Sequence, residues 1–234
     1  MNLSFEKFSR EFDITVEDIC REYYLKNRET INIKKEAVAI KNLVTILNTT
    51  LKLSNDKGFQ AMTLRDLSRE SGLSMGALYT YFTSKDELFR IIHNHGMNMI
   101  NMALVNRIRE ETDPAVKLRK AISIHLYLSE LMHQWFYFLY METRNLQKEE
   151  RKLSIESELF TEQIFIDILK QGIKNGIYSI ENVTLTSAII KALLQDWYLK
   201  RWKYSKRKTS IDQYASFIIA FIESSINPER RRTK

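Results

Sequence analysis

The segment from Thr63 to Leu88, TLRDLSRESGLSMGALYTYFTSKDEL, constrains this chain more than any other. Its punctuation spells two short helices joined by a tight turn and followed at once by a third. Thr63 with Asp66 is a capping-box start, hydroxyl and carboxylate satisfying free backbone N–H groups. Leu64, Leu67 and Ser68 share one helical face. Gly72 stands where the chain turns sharply, a place for a residue that tolerates positive φ. Ser74 caps the second helix, whose Leu78 and Phe82 lie four apart and reach Leu67 and Leu73. Ser84 with Glu87 opens the third helix. The other face of the second helix offers Met75, Gly76, Ala77, Thr80 and Tyr81, with Lys85 just beyond. Small residues let a helix backbone approach a groove, and hydroxyls and lysine reach phosphates, so the unit points to duplex DNA. Spacing alone equally describes two amphipathic helices in any helical protein.

The rest of the chain reads as helix too. Only two prolines and six glycines interrupt 234 residues, and no stretch shows strand alternation bounded by turn residues. The fold class is therefore all-α. The single Cys20 excludes an intrachain disulfide and fits a reducing cytoplasm. The longest apolar run, Trp135 to Met141, is seven residues, far short of a membrane span. The N-terminus, interrupted by Glu6, Arg10, Glu11 and Asp13, does not read as a signal peptide. No catalytic constellation, cofactor motif or metal-ligand pattern is present: His93 and His95 point to different faces of a helix, and His125 and His133 lack a carboxylate or Cys in ligand spacing. Net charge is +7, but residues 200–234 carry 10 basic and 3 acidic groups, the whole of the excess. The expectation of DNA binding therefore rests on the motif and not on overall charge.

The stretch GFQAMTLRDLSRESGLSMGALYTYFTSKDELF closely resembles the DNA-binding domain of the TetR/AcrR family of bacterial repressors. Gly58-Phe59, Thr63, Gly72, Leu73-Ser74, Gly76, Leu78-Tyr79, Tyr81-Phe82 and Lys85 before Leu88 carry the resemblance. It is good over Lys35 to His93 and elsewhere extends only to helical layout and length. It implies an N-terminal three-helix helix-turn-helix domain over 36–84, a C-terminal helical bundle for ligand binding and dimerisation over 85–234, and an N-terminal extension, 1–35. Carried over, Gly76, Tyr79, Thr80 and Tyr81 face the groove or its phosphates. Thr63 and Lys85 contact phosphate, and Ser74, Met75 and Ala77 complete the face. Lys34 and Lys35, just before helix one, are candidates for a phosphate or minor-groove contact. The resemblance also implies a homodimer meeting two half-sites of a palindrome in double-stranded DNA, and release by a small hydrophobic ligand.

Outside the motif several readings stay open. Thr15 with Asp18 caps a helix to about Lys26, which either packs on the body or adds contacts. Helix one is expected over Glu36 to Ser54, ended near Gly58. Another runs from about Lys85 to Thr112, and one starts at Asp113-Pro114. Met99 and Met102 either fill core gaps or line a cavity. The aromatic run around Trp135 and Phe138 implies a helix buried all round. It is either plain core or, with His125, Trp197 and a polar anchor at Glu142, Arg144 or Asn145, the lining of a ligand pocket. Helices are expected over Leu159 to Lys174, Leu185 to Tyr204 and Ser210 to Ile226. Ile189, Leu193, Phe217 and Phe221 on the last two are the dimerisation candidates that the resemblance implies. The basic clusters Lys200 to Lys208 and Arg230 to Lys234 are either solvated ends or sites for anionic groups, such as the phosphates of an acyl-CoA-like ligand or non-specific DNA. The class to weigh against a ligand-responsive regulator is an architectural or interaction protein using the same motif without a small molecule.

Overall fold

The computed structural model describes residues 3–12, 15–31, 33–143 and 146–227. Among these the chain is all helix and connecting turns: α1 (Phe5–Glu11), α2 (Val16–Lys26), α3 (Glu36–Lys57), α4 (Leu64–Ser71), α5 (Met75–Tyr79), α6 (Lys85–Arg109), α7 (Pro114–Leu131), α8 (His133–Glu142), α9 (Lys148–Lys174), α10 (Val183–Leu199), α11 (Arg201–Lys206) and α12 (Ile211–Ile226).

Helix starts follow local chemistry. Capping boxes open α2 at Thr15/Asp18, α4 at Thr63/Asp66 and α12 at Ser210/Gln213. Asp113 accepts the Ala115 N–H ahead of α7, where Pro114 loses nothing by lacking an N–H in the first turn. Two helices end on glycine: α3 at Gly58 (φ 85) and α4 at Gly72, whose φ of 71 is the left-handed geometry the turn requires. The expected helix over 185–204 is instead two, α10 and α11, parted at Lys200 (φ −121, ψ 33). No glycine or proline marks that break. Asp196 takes Lys200, Lys203 and the Tyr204 hydroxyl across it. The helix expected from Leu159 begins eleven residues earlier, at Lys148.

By compactness the chain forms two units. A reader unit takes the described residues of Asp13–Met99 and Gln134–Ile155; a body unit takes those of Met1–Phe12, Ile100–His133 and Glu156–Lys234. These divisions differ from the boundaries at 35/36 and 84/85 drawn on the sequence. The N-terminal extension splits, with α1 in the body unit and α2 in the reader unit, and α8 with the start of α9 also belongs to the reader unit.

In the reader unit α2 packs on α3, α3 on α4, and α4 on α5. Ile19, Cys20 and Tyr24 of α2 are buried along with Leu43, Ile46, Leu47 and Leu51 of α3. Burial pushes the Cys20 thiol up to about 12, so it stays protonated and unreactive at neutral pH. α6 and α8 approach closely at Gly96, where a Cβ would stand 3.0 Å from Leu139 and 3.4 Å from Trp135. α8 is buried on one side only: Trp135, Phe136 and Phe138 face in, but Tyr140 and Met141 are exposed, contrary to the all-round burial expected from the aromatic run. Aromatic content outweighs periodicity in such a run, so the sequence does not show which rings face water.

In the body unit α7 is central, with α1, α10 and α12 packed on it. Leu118, Ile122, Leu126 and Leu128 are fully enclosed. The N-terminal segment is anchored there: Phe8 is buried, the Phe5 N–H donates to Asp212 at 2.9 Å, and the Tyr127 hydroxyl donates to the Leu3 carbonyl at 2.8 Å. Among the described residues no helix is long and apolar enough to cross a membrane.

Candidate nucleic-acid interface

The helix-turn-helix is assembled as its spacing requires. Leu67 and Leu78 are completely buried and Phe82 nearly so, which locks α4 against α5. The Ser68 hydroxyl donates to the Leu73 carbonyl at 2.6 Å and ties the turn to α4. The Thr63 hydroxyl accepts the Asp66 N–H at 3.1 Å and donates to Asp66 Oδ2 at 2.8 Å. Lys57 and Thr63 together hold the Asp66 carboxyl well below the usual carboxylate range. Ser74 accepts the Ala77 N–H at 3.2 Å and starts α5.

The outward face of α5 matches the expected one in part. Ser74 and Gly76 are exposed, Tyr79 is 51% exposed, and Met75, Ala77 and Thr80 are half-buried. The Thr80 hydroxyl donates to the Gly76 carbonyl at 3.1 Å, leaving its oxygen open to a further partner. Lys34 and Lys35 are exposed at the start of α3. Arg65, exposed on α4, adds a cation that motif-based reasoning passes over.

Two expected contacts are corrected. Tyr81 does not face outward: it is 3% exposed, inside the reader unit, with Tyr23 donating to its carbonyl at 3.3 Å. Burial raises its phenol pKa, and a neighbouring Asn42 works against that shift. Tyr81 follows buried Leu78 by three residues, its N–H donates to the Leu78 carbonyl at 3.0 Å, and it stands about 200° around the helical turn from Tyr79, so it falls on the inner side. Lys85 is turned back onto the protein. Its ammonium donates to the carbonyls of Gln60 at 3.0 Å and Met62 at 2.9 Å and lies 4.7 Å from the centroid of the Phe59 ring. As the first residue of α6 it sits at the positive end of a helix dipole, so an outward carbonyl is a better partner than its own helix. Burial lowers its pKa, with Glu142 and Asp86 opposing that.

The residues expected to line a ligand pocket are divided between the units. Met99, Trp135, Phe138 and Glu142 are buried in the reader unit. Phe138 packs edge-on to Phe59 at 5.4 Å and tilted to Phe89 at 5.6 Å. Glu142 accepts the Phe59 N–H at 2.8 Å, a partner 83 residues away that no sequence signal reveals. Met102, His125 and Trp197 belong to the body unit. Met102 is 50% exposed and fills no core gap. His125 is buried beside Phe165, and burial, with Lys191 adding to it, keeps its imidazole well below its ordinary pKa and so neutral. Trp197 donates its indole N–H to Glu130 at 2.9 Å and stacks on Tyr204 at 4.9 Å. An open cleft of about 550 Å³ lies beside it, lined by Glu130, Arg201, Trp202 and Tyr204 among others. Arg144 and Asn145 lie outside the described residues, as do Arg230 to Lys234.

Of the four dimerisation candidates, Ile189, Phe217 and Phe221 are each more than half exposed, and Leu193 is half-buried. Together with exposed Leu185 they leave α10 and α12 with apolar side chains in water, a feature of surfaces that pair.

Comparison with known proteins converges on one family. The profile described as "Bacterial regulatory proteins, tetR family" matches residues 46–92, and the "Tetracyclin repressor-like, C-terminal domain" matches residues 111–224. The HTH-type transcriptional regulator YfiR of Bacillus subtilis is 31% identical over 149 residues, covering 58% of this chain and 67% of YfiR. The HTH-type transcriptional repressor KstR2 of Mycolicibacterium smegmatis is 22% identical over 197 residues, covering 77% of this chain and 88% of KstR2. The crystal structure of AibR in complex with isovaleryl coenzyme A and operator DNA shares the fold with a TM-score of 0.68. The two are 17% identical, and the match covers 75% of this chain and 95% of that one.

Proposed function

The chain belongs to the tetR family of bacterial regulatory proteins, and we propose that it is a ligand-responsive repressor that binds a palindromic operator as a homodimer. The observation that carries the DNA reading is the reader itself. Leu67, Leu78 and Phe82 pack α4 and α5 into one rigid unit, and the side of α5 left in water presents Ser74, Gly76 and Tyr79 with Met75, Ala77 and Thr80. Gly76 and Ala77 let the α5 backbone come close to base edges, and Ser74, Thr80 and Tyr79 supply hydroxyls for phosphate or base. Lys34, Lys35 and Arg65 are the cations that set register on the backbone. Two copies paired through Ile189, Leu193, Phe217 and Phe221 would present two such faces to two half-sites.

The ligand class to try first is a small hydrophobic acyl-coenzyme A thioester. AibR, of the same fold, is described with isovaleryl coenzyme A, and this chain has a basic, tryptophan-bearing segment at Lys200 to Lys208 beside the open cleft lined by Trp197, Arg201 and Trp202. A ligand releases DNA only through a difference in its affinity for the two states. The test is a melting-temperature panel with coenzyme A thioesters of increasing acyl length, run with fluorescence anisotropy of labelled duplex DNA. A thioester that both raises the melting temperature and lowers DNA affinity supports the reading. Sequence-specific DNA binding indifferent to every thioester and every free hydrophobic acid would favour an architectural protein instead.

A further inference from the structure

The turn between α3 and α4, residues 58–62, is gripped from two directions. From α8, Glu142 is 5% exposed and its Oε1 accepts the Phe59 N–H at 2.8 Å. From the start of α6, Lys85 holds the carbonyls of Gln60 and Met62 at 3.0 and 2.9 Å. Between them the Phe59 ring is enclosed by Phe138 at 5.4 Å, Phe89 at 6.0 Å and the Lys85 ammonium at 4.7 Å. The next residue after this turn is Thr63, the cap of α4. The direction in which α4 leaves, and with it the aim of α5, is thus set by one carboxylate and one ammonium from elements outside the helix-turn-helix.

Cost argues for a purpose. A buried carboxylate loses its hydration, and Oε2 of Glu142 is buried with no hydrogen-bond partner among the described residues. A glutamine would accept the same N–H without the charge, and an apolar residue would pack against Phe59 without either. Fixing a turn in one geometry is work that a charge-assisted bond on one side and a paired-carbonyl clamp on the other do well.

We infer that Glu142 and Lys85 are positioning residues for DNA reading: a two-sided clamp that holds the α3–α4 turn so that α4 and α5 present one fixed face, and through which α8 governs that face. This rests on the DNA-reading role proposed above. Because α8 also carries Trp135 and Phe138, anything that displaces α8 pulls on the Phe59 N–H directly. Glu142 then is not a ligand anchor but the link from that helix to the reader.

The test uses the full chain with Glu142→Ala, Glu142→Gln and Lys85→Met. Two readouts separate the clamp from the DNA reading: hydrogen exchange at the Phe59 amide, and affinity for a duplex selected by the wild type. Glu142→Ala should speed Phe59 exchange roughly tenfold to a hundredfold, the range expected on losing a hydrogen bond to a charged acceptor. It should also weaken the selected duplex about tenfold while binding to random duplex and its salt dependence stay as in the wild type, since no phosphate contact is removed. Glu142→Gln, which keeps an acceptor but not the charge, should fall between Glu142→Ala and the wild type in both readouts. Lys85→Met, which keeps the stem over Phe59, should weaken specific binding alike. Accelerated exchange with unchanged specific affinity would overturn the positioning role, and unchanged exchange would overturn the contact. Should Glu142→Ala fail to fold, Lys85→Met decides: wild-type specific affinity in that variant rejects the clamp. If the wild type itself selects no duplex, the DNA reading and the positioning role fall together, and Phe59 exchange still reports whether the contact exists.

Discussion

Tyr79 and Tyr81 stand two residues apart and should behave as opposites. Tyr79 is 51% exposed and Tyr81 is 3% exposed, so one belongs to the face and the other to the core. Truncating Tyr81 to alanine removes a buried aromatic ring and leaves a hole in a close-packed unit. For buried aromatic residues that costs about 3–5 kcal/mol. In a chain of this size each kilocalorie is worth about 2–4 °C, so the melting temperature should drop by about 10 °C. Tyr79→Ala should change stability by less than about 0.5 kcal/mol, as surface substitutions do. Its effect should fall on DNA affinity instead, by roughly 1–3 kcal/mol or about fivefold to 150-fold, the usual range for a lost groove contact. Differential scanning fluorimetry and anisotropy on one selected duplex, the latter well below either melting temperature, separate the two effects. Tyr81→Ala should then bind DNA nearly as the wild type does once its folded fraction is counted. A Tyr81→Ala protein that melts with the wild type but has lost DNA would refute this reasoning and return Tyr81 to the outer face.

Two further outcomes follow from the same geometry. His95 is buried against Tyr23, and burial drops its pKa to about 4 despite Glu22 nearby. The folded chain therefore binds fewer protons than the unfolded one between about pH 4 and the ordinary imidazole value of ~6.5, and stability should fall as pH falls through that window. A His95→Phe variant should show a flatter melting-temperature profile there, and an equally steep profile would assign the acid loss to other groups. On the body unit, Phe217→Glu combined with Ile189→Glu places charge on the exposed apolar face of α10 and α12. Light scattering should report a dimer for the wild type and a monomer for the variant, and a variant dimer would move the interface elsewhere.

What the sequence made legible was local. The caps at Thr15 and Thr63, the proline opening α7 and the glycines at 58 and 72 each act on their own turn, and the helices begin or end there within a residue or two. The apolar residues that α10 and α12 leave exposed were named through the family resemblance, since their spacing alone reads equally as internal packing. Contacts that span the chain were not visible. Nothing near Glu142 points to Phe59, and nothing near Lys85 shows that its ammonium turns inward. Tyr81 was misplaced because its hydroxyl, next to Thr80, reads as a phosphate contact, whereas its ring is buried by tertiary packing beside Leu78. The break at Lys200 has no breaker residue, and the polar start of α9, KEERK, has too few apolar positions to announce a helix. Its anchor is tertiary: Glu150 is buried and pairs with Arg90 at 2.7 Å.

The measurement that bears most directly on the central claim is selection of bound fragments from random duplex DNA by the purified chain, followed by sequencing. One palindrome should emerge, with half-sites about one helical turn apart centre to centre and enrichment lost when Tyr79 and Thr80 are both changed to alanine. Enrichment of no sequence at low salt, or of a sequence still selected by that double variant, would contradict the claim that α5 reads DNA.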